Sequence, residues 1–229
     1  MWDDLNIDYE VAYQRNPLKI ACVEKAISLL QSGSRVLDVG CGTGIPVSQM
    51  LADAGMEVSG CDVAPNMVEL AQKRIAGSFV TANMIEFQPQ GEFAAIFIIY
   101  SQLGLRYSEF HAAAFKLAKA LQPGGLLVIG QSPSDEKVPE NDPAFDETRT
   151  YADNFNLPFW GKPFYTLLFS RQGQLDFLRS MGLETVYDNV DWFKPDHPKC
   201  DAEHQQYVIA RWSGDRPLSE PKPLPKAME

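Results

Sequence analysis

The sequence predicts an α/β protein, a three-layer α/β/α sandwich on a mostly parallel seven-stranded sheet with a final antiparallel hairpin strand. Three observations carry that reading. Up to Gly130, short apolar runs alternate with helix-length segments, the rhythm of βαβ units. The runs are apolar without a break, as strands covered on both faces require. The last two β-rich segments, ETVYDNVDWF and HQQYVIARW, are joined by a short polar loop, which suits a hairpin at the end of the sheet. With 229 residues and 45% hydrophobic content, the chain has material for one domain with a sizeable core and barely enough for two.

Taken in order, NPLKIACVEKAISLLQSG reads as a helix. Asn16 can cap it, Pro17 suits its first turn, Gly33 its exit, and Leu18, Ala21, Cys22, Ile27, Leu29 and Leu30 share one face. Strand 35–39, helix 46–54, strand 57–62, helix 66–76 and strands 78–82 and 94–100 follow. A helix over 109–121, a turn at QPGG and the strand LLVIG continue the pattern. After Gly130, prolines, charges and aromatics dominate for roughly forty residues before the helix SRQGQLDFLRSMG, which is long for a structureless loop. Residues 131–169 therefore read as a lid inserted after the fifth strand. The tail from Ser213, with Pro217, Pro221, Pro223 and Pro225, reads as disordered, a PxxP ligand being the alternative. The expected organisation is one domain over 1–212, opening with an N-terminal arm and helix over 1–33, and a tail over 213–229.

Charge and cysteine usage narrow the function. A formal net charge of −10 argues against a protein that grips phosphate backbones or anionic membranes, since those tasks need clustered Lys and Arg. Nucleic-acid and membrane partners are not expected. Cys22, Cys41, Cys61 and Cys200 are scattered in a chain with no hydrophobic leader, which points to reduced thiols and a cytoplasmic setting. No apolar run approaches spanning length.

The stretch RVLDVGCGTG puts three glycines in five positions straight after a strand, where backbone amides and a helix start can meet a ligand closely. A dinucleotide fingerprint would need G-x-G-x-x-G. Here Gly40 and Gly42 are followed by Ile45, and Gly42 and Gly44 by Val47, so that fingerprint fails. What stands instead is Asp38-x-Gly40-Cys41-Gly42-Thr43-Gly44. VLDVGCGTG resembles the first motif of class I S-adenosylmethionine-dependent methyltransferases, the Rossmann-like family. The resemblance runs from about Gly33 to Gly130 and includes GCDVAPNMVELAQKRI and ALQPGGLLVIG.

That resemblance implies S-adenosylmethionine as cofactor and S-adenosylhomocysteine as product. It implies that the glycine turn carries the methionine end, with Asp38 helping to hold the amino group. Asp62, at the end of the second strand, is implied for the ribose hydroxyls, where one carboxylate can accept both vicinal hydrogens. Val63 and Met67 would flank ribose and adenine, and Asn83, Met84 and Tyr100 complete the implied cofactor set. Two positions depart from the family pattern. Asn83 stands where an acidic residue usually accepts from the adenine amino group, a bond its carbonyl oxygen can also take. Phe93-Ala94-Ala95 stands where the fourth strand commonly opens with Phe-Asp, which puts local packing in doubt.

In an open parallel sheet, ligands collect at the carboxyl ends of the strands. The acceptor should therefore lie among the N-terminal arm (Trp2, Tyr9, Tyr13, Arg15), the loop after strand four (Tyr100, Ser101, Gln102) and the lid (Tyr151, Phe155, Phe159, Trp160, Phe164, Tyr165). The expected substrate-binding set is Tyr9, Tyr13, Arg15, Ser101, Tyr151, Phe155, Trp160 and Tyr165. Aromatic walls would bury a flat or apolar acceptor and favour a sulfonium by cation–π attraction; the plainer alternative is that these rings pack the lid onto the sheet. His197, near the final hairpin's turn, is the candidate catalytic base, with a solvated loop histidine as the alternative. His111 reads as an ordinary helix residue. His197-x-x-Cys200-x-x-x-His204 invites a zinc reading, but no fourth ligand is evident and no metal is expected.

The expected function is methyl transfer to an oxygen or nitrogen of a small, aromatic or otherwise apolar molecule. The alternatives are a cofactor-binding protein that does not methylate, either a sensor or a catalyst using S-adenosylmethionine as a fixed cation, and a protein or RNA methyltransferase. The expected partner is the small-molecule acceptor; the sequence does not disclose an oligomeric state.

Overall fold

The computed structural model describes residues 2–226, with side chains described from Ile7 onward; the Trp2 side chain lies outside the described residues. Helices α1 (Trp2–Tyr13) and α2 (Pro17–Ser28) precede the sheet, so the expected arm is largely helical. Asn16 Oδ1 accepts from Leu18 N and Lys19 N at 3.0 and 3.3 Å, and Pro17 supplies the preset first turn, which is why α2 starts there.

Strands β1 (Arg35–Val39), β2 (Glu57–Asp62), β3 (Ser78–Thr81), β4 (Phe93–Ile99) and β5 (Leu121–Gln131) are parallel. Helices α3 (Val47–Asp53), α4 (Pro65–Arg74) and α5 (Tyr107–Ala118) lie between them in the chain. After α6 (Arg171–Ser180) come β8 (Glu184–Phe193) and β9 (Glu203–Arg211). The sheet order is β3-β2-β1-β4-β5-β9-β8, with β9 antiparallel to both neighbours. β8 consequently runs the same way as β5, and the β8–β9 turn falls at the carboxyl edge of the sheet.

Period-two alternation splits the core across the sheet. Along β4, Ile96 and Ile98 join Phe110 and Leu117 of α5 and Phe177 of α6. Ala95 and Phe97 face the other way, among Cys22 and Val23 of α2, Leu51 of α3 and Val68 and Ala71 of α4. Each fully buried Phe or Ile of this kind stabilises the fold by roughly 1.5–3 kcal/mol.

Two expectations need correction. The Pro-Gly-Gly segment is not a turn ahead of the strand but lies inside β5, as an irregularity against β4, where Gly124 N donates to Trp212 O (2.8 Å). Within residues 131–169, β6 (Tyr151–Asn156) and β7 (Tyr165–Phe169) form a small antiparallel sheet. Asp146 shapes its entry by accepting from Thr148 N and Tyr151 N, and Asp153 ties it to α5 by accepting from Tyr107 N (3.0 Å).

The tail, read as disordered, is ordered through Lys226 and docked on α5 and α6. Its prolines offer carbonyls without N–H groups to satisfy. Pro221 O is 2.7 Å from His111 Nε2, Pro223 O accepts from Tyr107 Oη at 2.5 Å, and Ser219 N donates to Met181 O. Leu218 packs on the core beneath. Among the described residues, no helix is long and apolar enough to cross a membrane.

Candidate active site

The turn after β1 is held by backbone bonds to the end of β2. Gly40 N and Cys41 N both donate to Cys61 O, at 2.7 and 3.0 Å. Asp62 then clamps two loops at once, Oδ2 accepting from Gly42 N and Oδ1 from Ala64 N, each at 2.9 Å. The glycines have different duties. Gly40 adopts φ +75°, and a Cβ there would overlap Ser101 in the loop after β4. Gly44, at φ +84°, faces Ile75 after α4, so it serves helix packing and does not line the cavity.

Beneath the turn lies Asp38, 2% exposed, accepting from Ser48 Oγ at 2.7 Å. Burial pushes its carboxyl up to about 6, against the Ser48 hydrogen bond, while Asp62 adds to the rise and Lys19 opposes it. Burial lowers the Lys19 ammonium to about 8, and the carboxylates of Asp38 and Glu203 resist that fall. Burial likewise raises the Cys61 thiol to about 12 and the Cys41 thiol further, so neither is a thiolate near neutrality.

These groups border a cavity of about 310 Å³ at the carboxyl ends of β1, β2 and β4. Asp38, Gly40, Cys41, Gly42, Thr43, Asp62, Val63, Met67, Asn83, Met84 and Tyr100 all line it, together with Lys19, Tyr9, Tyr13 and Ser101. Asn83 Oδ1 already accepts from Ile85 N (3.0 Å), which leaves a second lone pair. At the far end of β4, Ala94 and Ala95 are buried, and the Arg35 guanidinium lies over the Phe93 ring at 4.8 Å while bonding Gln90 O and Glu92 O. The missing aspartate is thus remote from the cavity.

A second, smaller hollow shares Tyr9, Tyr13, Tyr100 and Leu103 with the first and adds Ser132, Leu157, Phe159, Phe164, Thr166, Leu168 and Glu203. Tyr9 and Tyr13 stack at 4.7 Å. Tyr100 sits at φ +60°, a conformation that costs a bulky residue about 1–3 kcal/mol. Its Oη donates to Gln131 O at 2.8 Å, which fixes the ring between the hollows.

Of the residues expected around the acceptor, Tyr9, Tyr13, Tyr100 and Ser101 line the first cavity and Phe159 and Phe164 the second hollow, while Arg15, Gln102, Tyr151, Phe155, Trp160 and Tyr165 line neither. Arg15 and Tyr165 are exposed. Tyr151 is buried, stacked on Tyr107 at 3.6 Å, and Phe155 packs on the Val138, Ala152 and Leu168 cluster. Gln102 is buried with Nε2 donating to Gly130 O. Trp160 stacks on His197, the expected base, at 4.1 Å; His197 lines neither hollow, and its Nδ1 accepts from Lys199 N. His204 instead contacts Glu136 and lies 2.9 Å from Arg171 Nη2, so the His-Cys-His spacing does not gather three side chains. Among the described residues, no group of three or more His, Cys, Asp or Glu is placed to hold a metal ion.

Lys19, Leu103, Ser132 and Glu203 line the hollows unforeseen. Lys19 had a signal, since it shares the buried stripe of Cys22, Val23 and Ala26 on α2. Glu203 had one too: counting back by twos from Ile209 and Tyr207 leads through Gln205 to Glu203 on one face of β9.

Comparison with known proteins agrees with this geometry. Residues 36–125 match the family model described as a methyltransferase domain. The chain is 35% identical over 98 residues to the malonyl-[acyl-carrier protein] O-methyltransferase of Serratia marcescens, which covers 42% of this chain and 38% of that protein. It is 27% identical over 180 residues to the 2-methyl-6-phytyl-1,4-hydroquinone methyltransferase of a Synechocystis species, covering 75% of this chain and 54% of that one. The chain thus spans well under two thirds of these curated relatives. The fold is shared with the 1,6-didemethyltoxoflavin-N1-methyltransferase of Burkholderia thailandensis, at a TM-score of 0.64 and 16% identity over 92% of this chain and 84% of that one. Residues 36–125 thus match a methyltransferase domain in sequence, on a fold shared with a solved methyltransferase structure.

Proposed function

We propose that this protein transfers the methyl group of S-adenosylmethionine to an oxygen or nitrogen of a small aromatic or apolar molecule. The observation that carries the reading is the pair of adjoining hollows, one walled by the glycine turn, Asp38 and Asp62, the other by aromatic rings, with Tyr9, Tyr13 and Tyr100 common to both.

The residues present suit the cofactor. Gly40 and Gly42 keep the turn bare of side chains, and Asp62 brings to the cavity a carboxylate, a group that suits vicinal hydroxyls. Val63 and Met67 offer apolar surface beside it. When bound, S-adenosylmethionine supplies an activated methyl on a sulfonium centre, which leaves positioning and the exclusion of water to the protein. Tyr9, Tyr13, Phe159 and Phe164 exclude water from the acceptor's side, and their ring faces favour positive charge nearby. Ser101, pressed against Gly40, fixes the spacing between cofactor turn and acceptor wall.

A hydroquinone and 1,6-didemethyltoxoflavin, in the names of two similar proteins, are small aromatic molecules, which supports that substrate class. The net charge of −10 and the aromatic hollow favour such a molecule over nucleic acid, and four buried free cysteines suit a cytoplasmic setting. The test is calorimetric titration with S-adenosylmethionine and S-adenosylhomocysteine, then a metabolite-extract screen with methyl-labelled cofactor. Binding with a labelled small product supports the proposal. Label on protein or RNA would replace the acceptor class, binding without any product would favour a non-methylating role, and no binding would overturn the reading.

A further inference from the structure

Glu203, the first residue of β9, brings a carboxylate to the aromatic hollow beside Tyr9, Tyr13, Tyr100 and Ser132. Its side chain is 18% exposed and held from three directions. Oε1 accepts from Gln205 Nε2 at 2.8 Å; Oε2 accepts from Ser132 Oγ and Lys137 Nζ at 3.3 Å each. A carboxylate has about four lone-pair positions, so these three donors leave one for a donor in the hollow.

The charge around the hollows is one-sided. Glu10, Asp38, Asp62 and Glu203 contribute carboxylates to the lining, against the single ammonium of Lys19. Arg74 answers Glu10 from outside (2.7 Å), and Lys137 answers Glu203 in part. Burial first, and the Glu203 charge after it, raise the hydroxyls of Tyr9 and Tyr13, so these rings stay neutral and present π faces, not phenolates. An anionic acceptor would meet repulsion here, whereas a carboxylate beside neutral aromatic faces is the set of groups that recognises an organic cation.

We propose that the acceptor is a small aromatic or apolar amine and that Glu203 holds its protonated nitrogen against the tyrosine wall. This rests on the methyl-transfer reading of the same site. For transfer, the ammonium gives one proton to Glu203, which frees the nitrogen lone pair. That pair forms the nitrogen–carbon bond as the methyl–sulfur bond breaks, and the electrons of the broken bond stay on sulfur. The product leaves as the methylated ammonium, and the Glu203 carboxyl returns its proton to water.

The test uses the full chain, titrated first with S-adenosylhomocysteine and then, with that compound bound, with matched probes. These are 2-phenylethylamine, 2-phenylethanol and phenylacetate, with tryptamine against indole-3-ethanol. The amines should bind at least about tenfold more tightly than the alcohols at pH 7, as a charged hydrogen bond implies. Phenylacetate should bind most weakly. Glu203→Gln, isosteric and still able to accept from Ser132 and Lys137, should lose the amine preference and keep its affinity for S-adenosylhomocysteine. Alcohols matching amines in the wild-type protein, no amine bound, or the preference surviving in Glu203→Gln would each overturn the proposal. If Glu203→Gln does not fold, the wild-type amine-to-alcohol ratio decides alone. Failure to bind S-adenosylhomocysteine would instead strike the cofactor reading.

Discussion

Replacing Asp62 by Ala separates two duties of one carboxylate. In the folded chain it accepts from Gly42 N and Ala64 N, each at 2.9 Å, and so fixes both loops that border the cavity. Hydrogen bonds to a charged group contribute about 1.5–3 kcal/mol each, but Asp62 is only half-buried and water can recover the freed amides, so about 1 kcal/mol per bond is the working figure. Folding stability should fall by about 2 kcal/mol, a drop in Tm of roughly 4–8 °C for a chain of this size. If the same carboxylate also accepts the ribose hydroxyls, affinity for S-adenosylhomocysteine should fall by a further 2 kcal/mol or so, about thirtyfold. Thermal unfolding of the free protein reads the first term and calorimetry the second. Asp53→Ala, an exposed site bonded only to Gln49, is the control and should change neither by more than about 0.5 kcal/mol. A lowered Tm with unchanged affinity would refute the ribose assignment. No change in either would refute the clamp as well.

The remaining predictions address the buried charges, the tail and His197. Asp38 is raised from 3.8 to about 6, so the folded state keeps a proton that the unfolded chain loses first; stability should fall as pH rises from about 4 to about 6, and Asp38→Asn should flatten that limb in urea titrations. Parallel curves for the two proteins would refute it. Lys19 is lowered from 10.5 to about 8, so its penalty is complete below pH 8 and eases as pH climbs towards 10.5, a rise that Lys19→Met should abolish. Truncation after Trp212 strips the partners of Tyr107 Oη and His111 Nε2 and uncovers core beside Leu218, so Tm should drop by several degrees, roughly 1–3 kcal/mol of stability; an unchanged Tm would mean the docked tail contributes nothing. His197→Ala, which removes a ring outside both hollows, should leave turnover within about twofold; a loss of about a hundredfold, typical of a missing general base, would identify it as the base.

The β1–turn–α3 unit was legible because its chemistry is contiguous. Residues 38–44 carry the end of β1 and the turn within seven positions, Asp62 is the last residue of the next strand, and the cavity residues named from that half, apart from Gly44, do line it. Gly44 escaped because a glycine kept for helix packing and one kept for a ligand look alike in sequence; only the position of Ile75 separates them. The tail was misread for a related reason. Proline-rich composition signals a chain that cannot bury itself, but carbonyls without competing N–H groups suit a strap that Tyr107 and His111 can hold.

By itself, then, the sequence determined the layered α/β architecture and most of the named residues of the glycine-turn cavity, since apolar periodicity and turn chemistry act between neighbours in the chain. Only the tertiary structure decided the aromatic hollow. Its wall is drawn from α1, the loop after β4, the lid sheet and β9, segments brought together by strand order and register. In strands and their loops a shift of one residue turns a side chain to the other face, so Phe159 and Phe164 line the hollow while Trp160 and Tyr165 beside them do not. The same geometry brings Glu203 to the tyrosines of the N-terminal helix, nearly two hundred residues away in the chain: strand periodicity gives the face it occupies, and only strand order gives the segment it meets there.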